Sequence, residues 1–432
     1  MQTPDEFAHF FRSYNVSDGY CVAPRLTMVP HMVEEVAMAF PPRVETVRRL
    51  RADDILRYLR EPLSEAQPRG LLNESINLYH CISYTPAAVG IRAGRLFSVP
   101  PAGLLYLARF SNLLVYLAFV YLAMRQLPDF HLPLLCVALL PMALNQASSA
   151  SCDAVVFASA LFLCCYLVRL IWDARLGLID LRHYGILAAA IIVASLSKTN
   201  VWLVGLIILA PASRFRNARQ RWAVVLGCFV LAAVVLAGWN YVNRQNTAAW
   251  IEHNRVQLEV QFADNVAALY QHPWMLLQAF GRTWRDRWPE FAAQFVGKFG
   301  WLSVSLHVWV IWVYCILLGL VALTGAAEIR VTIVQRLVFL GVVAAGVTAI
   351  FMAMWCANTP KSYNEAVLSG VGHIPGVQGR YFIPFAFPLL LALSMTRLRV
   401  SRKGLLVLAT VTIFTVNAAA LYTIQNTFYA LT

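Results

Sequence analysis

The sequence predicts an all-α polytopic membrane protein, a bundle of about ten transmembrane helices with extracytoplasmic loops and interfacial helices. Three observations predict it. Of 432 residues, 59% are hydrophobic and only 13% charged, and the mean hydropathy of +0.60 lies outside the range of soluble domains. Apolar runs approaching 20 residues recur along the chain, enough to cross a hydrocarbon core of roughly 30 Å, and in lipid only helices and closed barrels satisfy their own backbone. The runs are too long and too evenly apolar for barrel strands. Finally, the basic residues between runs concentrate in alternate connections.

The first hundred residues differ from the rest. Half of the 22 acids precede residue 101, matched by a similar number of arginines, so this part reads as a solvated, neutral extracytoplasmic loop region with helices lying on the membrane surface. Within it, 41–70 is rich in Arg, Asp, Glu and Pro and is expected to be a mobile excursion. The membrane domain, 101–432, then carries spans at 102–124, 132–147, 153–171, 184–197, 200–212, 222–241, 304–324, 334–355, 382–398 and 405–425. The runs 184–197 and 200–212 are short for an upright crossing and could instead form a re-entrant pair.

Arginines orient these spans. Arg125, the group Arg169, Arg175 and Arg182, the cluster Arg214, Arg216, Arg219 and Arg221, the pair Arg330 and Arg336, and the run Arg397, Arg399, Arg402 and Lys403 mark the cytoplasmic connections. The first hundred residues, 242–303 and 356–381 then share the outer face, whose short connections carry only Lys198, Lys361 and Arg380. The segment 242–303 is amphipathic: Pro273 suits a first helical turn, and Trp274, Trp284, Trp288 and Trp301 are placed like an interfacial belt. An outward N-terminal region with no preceding span leads to the expectation of a further helix upstream of Asp5.

A net charge of +13 does not imply a nucleic-acid partner, because the bases sit in short inter-span segments and not along a groove. Nine cysteines offer no CxxC, and Cys136, Cys164, Cys165, Cys228 and Cys315 lie inside apolar runs as small hydrophobes. Cys21 and Cys81 stand apart; they are either a disulfide of an oxidising compartment or two free thiols.

Several stretches carry more information together than singly: PDEFAHFFRSYNVSDG at 4–19, YTPAAVGIRAGRLFSVPP at 84–101, LARFSNLL at 107–114, LPMALNQASSASCDAV at 140–155, KFGWLS at 298–303 and GVQGRYFIP at 376–384. In these the chain resembles a family of bacterial multispanning proteins catalogued as a domain of unknown function and related to the type C (GT-C) glycosyltransferases. The resemblance runs nearly end to end. It implies a GT-C-like bundle in the bacterial inner membrane, working on the extracytoplasmic face. The implied reaction takes a sugar from a polyprenyl-phosphate carrier to a cell-envelope glycan or lipid acceptor. Family members carry a transmembrane helix before the acid pair, which this sequence lacks.

Such a transfer needs a base for the acceptor's proton and cations for the departing phosphate. The resemblance implies Asp5 as the base, with Glu6 beside it; otherwise Asp5 caps the helix that begins at FAHFF and Glu6 is solvated. His9, one turn on, either shares a metal with Asp5 or hydrogen-bonds a neighbour. No resident cofactor or metal site is implied, and a divalent cation beside the phosphate is left open. Arg380, after Gly376 and Gly379, is the first candidate for the lipid phosphate against pairing with a loop carboxylate, with Gln378 and Tyr381 orienting its loop. Lys198 is a second phosphate candidate or an interfacial snorkelling lysine. Arg109, inside a span, needs a partner, and Asp153 is the expected one. The serines of SSASCD have no nearby His and read as a tight junction between helices, with Asp153 as N-cap. The reading is a polyprenyl-phosphate-dependent glycosyltransferase. The alternatives are a lipid-linked glycan flippase, against which the scarcity of mid-span acids argues, and an inactive lipid-binding relative.

Overall fold

The chain begins its bundle at α5 (Pro101–Gln126), where a proline at the first turn starts a 26-residue apolar helix. The structure is a computed structural model and describes residues 3–39, 49–62, 68–71, 75–127, 130–324, 331–394 and 401–429. Before α5 come α1 (Glu6–Ser17), α2 (His31–Ala39), α3 (Ala52–Arg60) and α4 (Thr85–Leu96), with a two-stranded antiparallel sheet of β1 (Thr27–Pro30) and β2 (Pro68–Leu71). Much of the expected excursion at 41–70 lies outside the described residues. The first hundred residues do not float free: Phe10, Phe11, Val33 and Ile91 bury themselves against Leu104, Leu105 and Ala108 of α5.

The remaining elements are α6 (His131–Ala138), α7 (Pro141–Ala147), α8 (Asp153–Trp172), α9 (Leu181–Leu196), a 3₁₀ helix (Lys198–Leu209), α10 (Ala218–Val242), α11 (Arg244–Gln257), α12 (Phe262–Gln271), α13 (Pro273–Val296), a short hairpin of β3 (Lys298–Phe299) and β4 (Val304–Ser305), α14 (Val308–Thr324), α15 (Ile333–Asn358), α16 (Lys361–Leu368), α17 (Ile383–Leu393) and α18 (Arg402–Phe428). Five of these, α5, α8, α10, α15 and α18, are long and apolar enough to cross a bilayer, and α9, α14, 200–209 and 379–393 are shorter apolar helices. The α8 helix is the axle of the bundle, its residues almost wholly buried between α5, α9, α17 and the 3₁₀ helix.

Two spans differ from expectation. The run 132–147 is two helices, because Pro141 has no N–H to continue α6 and pushes Leu140 into an extended conformation (ψ 133°). The short run after Ser197 winds as a 3₁₀ helix. At about 2.0 Å per residue its 12 residues reach about 24 Å, against about 18 Å for an α-helix of that length. The segment 242–303 is helical as far as Val296, with Pro273 at the first turn of α13 and Trp274, Trp284 and Trp288 exposed along it; Trp301 of the expected belt instead lies half-buried in the turn of the β3–β4 hairpin.

One end of the bundle is closed by arginines donating to carbonyls that helix ends leave unpaired. Arg214 donates to the carbonyls of Leu170, Asp173 and Leu176, Arg221 to Ile208 and Ala210, and Arg336 to Ala392 and Ser394. These bonds tie the 170–176 stretch to Arg214, the end of the 3₁₀ helix to α10, and the start of α15 to the end of α17 at that end of the bundle. The candidate residues gather at the other.

Candidate functional site

Asp5 and Lys198 both take the left-handed backbone conformation, at φ 59° and 56°. Such residues cost of order 1–3 kcal/mol each and persist only where surrounding structure fixes them. Asp5 stands at the N-terminus of α1 yet makes no side-chain cap, so its carboxylate is not spent on the helix. The residue is half-buried; its backbone carbonyl accepts from the His9 N–H, while its carboxylate makes no hydrogen bond or ion pair among the described residues and lies within electrostatic reach of Arg380.

Glu6 has a different fate from its neighbour. It is buried, and its carboxylate accepts from Arg109 Nε at 2.8 Å, Arg109 Nη2 at 2.9 Å and the Ala150 N–H at 3.0 Å. Burial pushes the Glu6 carboxyl up, but the Arg109 guanidinium outweighs it and holds the group below the ordinary carboxylate value. The expected Arg109–Asp153 pair is thus replaced by Arg109–Glu6. Three residues on, the Asn112 amide donates to the carbonyls of Ser149 (2.7 Å) and Ser151 (3.0 Å). One face of α5 therefore clamps both α1 and the 148–152 junction, which is as tight as the small residues predict.

Asp153 is freed for another role. Cys152 occupies the N-cap position of α8, and Asp153 opens the first turn, where the helix dipole favours an anion. One carboxylate oxygen receives Lys198 Nζ at 2.5 Å; the other lies 3.7 Å from Arg380 Nη1. Gln146 of α7 bridges the same groups: in the amide orientation that satisfies its neighbours it donates to Asp153 at 3.3 Å and accepts from Arg380 at 3.2 Å. Lys198 does not snorkel; its ammonium is drawn inward by Asp153 and sits 4.9 Å from the centre of the Tyr79 ring.

Arg380 is buried at 4% exposure, its guanidinium 5.4 Å from the Tyr381 ring, and its Nε has no hydrogen-bond partner among the described residues. The Gln378 side-chain oxygen is likewise buried and unpartnered. This loop is held in place by glycines. Gly376 has φ 78°, and a Cβ on Gly379 would lie 2.0 Å from the Phe291 carbonyl oxygen of α13. The Gly379 N–H donates to Gln294 of α13 at 2.7 Å.

His9 is buried, and its Nδ1 lies 2.8 Å from the Tyr84 hydroxyl. Burial, helped by the Lys198 charge, pushes its pKa down to about 3, so it is neutral at physiological pH. Tyr79 and Tyr84, on the segment between the β-sheet and α4, line this side, and burial pushes the Tyr79 hydroxyl up to about 12. That segment is tied down by a Cys21–Cys81 disulfide, which answers the question the sequence left open. Arg95 of α4 is engaged with Asp18 and lies over Tyr14.

Tyr79 and Gln146 were not singled out in the sequence. For Gln146 a signal existed, a polar residue ending the apolar run inside LPMALNQASSASCDAV; for Tyr79 there was none, since an aromatic residue beside an apolar surface needs no function.

Fold and cluster together define a multi-helix membrane protein that gathers acids and cations from its N-terminus, α7–α8, the 3₁₀ helix and the 376–382 loop at one end of its bundle. The chain belongs to the family described as "Predicted membrane protein (DUF2142)", a domain of unknown function, whose model matches residues 1–391. No curated protein and no solved structure matches it.

Proposed function

We propose that the protein is a GT-C-like glycosyltransferase of the bacterial inner membrane that takes a sugar from a polyprenyl-phosphate carrier to a cell-envelope acceptor on the extracytoplasmic face. The observation that carries the reading is the charge arrangement around Asp153. Two inward-drawn cations, Lys198 and Arg380, share one carboxylate, and the guanidinium retains an unpartnered buried N–H. An anion with several acceptor oxygens, such as a phosphate, satisfies both the surplus charge and the orphaned donor. The Cys21–Cys81 bridge supports an oxidising compartment for this end of the bundle, and the arginine-closed end supports a cytoplasmic one.

In this mechanism Asp5 takes the proton of the acceptor hydroxyl as its oxygen attacks the anomeric carbon. The bond from that carbon to the phosphate oxygen breaks, and the lipid phosphate departs with its added charge held by Arg380 and Lys198. Asp5 suits the role because its carboxylate is accessible and uncommitted; Glu6 does not, because three donors occupy it. Asp153 positions the two cations, and neutral His9 with Tyr84 packs beneath them.

The test is transfer of labelled sugar from polyprenyl phosphate into membrane acceptors by the wild type, Asp5→Asn and Arg380→Ala proteins. Loss in both variants with retained folding supports the assignment. Normal transfer by both rejects it.

A further inference from the structure

A second polar site opens at the same end of the bundle as the charged cluster. The α10 helix leaves the arginine-closed end at Arg221 and reaches the opposite end at Val242, where its junction with α11 and the loop 22–25 enclose a pocket of about 540 Å³. That volume suits a small-molecule ligand.

Its floor is made of two carboxamides drawn below the surface. Asn243 Nδ2 donates to the carbonyls of Asn77 at 3.1 Å and Leu78 at 3.4 Å, and Asn246 Nδ2 donates to the Ala23 carbonyl at 3.1 Å and to Asn243 Oδ1 at 2.8 Å. Both amide nitrogens are therefore committed to the framework. The Asn246 side-chain oxygen remains an acceptor with no donor among the described residues. Donors stand at the mouth instead: Arg25 and Gln245 are exposed, and neither side chain has a partner among the described residues. Val22 and Ala248 give the pocket opposing apolar walls.

The loop wall is held before any ligand arrives. Arg12 donates to the carbonyls of Tyr20 and Cys21, the Cys21–Cys81 bridge follows, and Asn246 fixes Ala23. The pocket also touches the charged cluster through one strand of chain. Asn77 and Leu78 rest on Asn243, and the next residue, Tyr79, sets its ring 4.9 Å from the Lys198 ammonium. A ligand seated against the junction is thus separated from the Lys198 side of the cluster by the 77–79 segment alone.

No acid lines the pocket, which argues against a cation, and one exposed arginine is too little for a polyanion. The arrangement suits a neutral polar ligand with a donor, an acceptor and a small apolar group close together. An acetamido group has all three: its N–H meets Asn246 Oδ1, its carbonyl meets Arg25 or Gln245, and its methyl lies on the apolar wall.

We infer that the pocket between the 22–25 loop and the α10–α11 junction binds an N-acetylhexosamine unit of a glycan. The inference rests on the proposed function for the role of that glycan as the acceptor, and adds the class of sugar and the residues that select it.

The experiment titrates N,N′-diacetylchitobiose, and cellobiose as the same disaccharide without acetamido groups, into the full chain in phosphatidylcholine nanodiscs, with binding read by saturation-transfer NMR. Diacetylchitobiose is expected to bind about tenfold tighter than cellobiose. Val22→Phe and Ala248→Phe, both at exposed positions, fill the pocket from opposite walls and are each expected to weaken diacetylchitobiose binding at least tenfold with unfolding unchanged. Equal binding of the two disaccharides overturns the inference, as does wild-type binding in both folded variants. The transfer assay separates the two readings. Diacetylchitobiose binding that the pocket variants abolish, in a wild type that transfers no sugar from polyprenyl phosphate, keeps the pocket and removes the transferase. Wild-type transfer retained by both pocket variants, with no diacetylchitobiose binding, removes the pocket alone.

Discussion

Replacing Glu6 is the sharpest way to separate scaffold from chemistry at the acid pair. The Glu6 carboxylate neutralises Arg109 through two hydrogen bonds and accepts a third from Ala150, in a site where both side chains are less than a tenth exposed. Removing one partner of such a pair leaves a buried charge without its counter-ion, which costs about 3–5 kcal/mol. Glu6→Gln keeps the shape and some acceptor capacity and is expected at the lower end of that range; Glu6→Ala is expected near the upper end. The double variant Glu6→Leu with Arg109→Met removes both charges together and is expected to recover most of the loss. The assay is denaturant unfolding of the purified protein in mild detergent. The pH dependence carries a sign as well. The folded carboxyl titrates below its ordinary value of 4.5, so the pair's contribution is complete above that pH and is lost as pH falls through the lower folded value. Glu6→Gln should therefore flatten the acid limb of the stability profile. If Glu6→Gln unfolds within about 0.5 kcal/mol of the wild type while abolishing transfer, Glu6 is a reacting group and the scaffold assignment is wrong.

Asp5→Asn is expected to lower transfer by about 10²–10⁴-fold, the range for a general base, with little loss of stability because the carboxylate makes no hydrogen bond or ion pair among the described residues; kinetics and unfolding on one preparation check this. Asp153→Asn leaves Lys198 and Arg380 without their shared counter-ion and is expected to cost about 3–5 kcal/mol, with partial recovery when Lys198→Met is added, read by the same unfolding assay. His9 should show no titration between pH 5 and 8 by NMR of a ring-labelled sample; because its folded pKa lies near 3, below the unfolded value of about 6.5, its contribution to stability is complete above that upper value and erodes as pH falls towards 3. Cys21→Ser, or reduction, removes a cross-link over 60 residues and is expected to cost about 4 kcal/mol on the chain-entropy model, seen as a lower denaturation midpoint.

Helix placement was legible because hydropathy and arginine position act through the bilayer itself. Each of the ten apolar runs overlaps helical structure among the described residues, although Pro141 divides one of them, 304–307 of another precede its helix and 395–398 of a third lie outside those residues. The 3₁₀ winding of 198–209 was not legible, since it arises from packing against α8 and α15 and leaves no periodic signature. At the site, the residue types were readable but their pairings were not. Glu6 and Asp153 are both acids at the first turn of a helix, and which takes Arg109 depends on α1 docking against α5, a contact across 103 residues of sequence. The unpaired state of the Asp5 carboxylate and the burial of Lys198 are likewise tertiary outcomes, visible only once the strained backbone at both positions is seen.

The backbone contact at Gly379 joins two regions that sequence separates widely. With no side chain as a spacer, the peptide before Arg380 lies directly on the Phe291 carbonyl, and Gln294 pins it from the same helix. The tryptophans of α13 are exposed on that helix. The loop that carries Arg380 is therefore set at backbone distance from α13, so any bulk added at Gly379 would push the two apart and move the guanidinium with the loop.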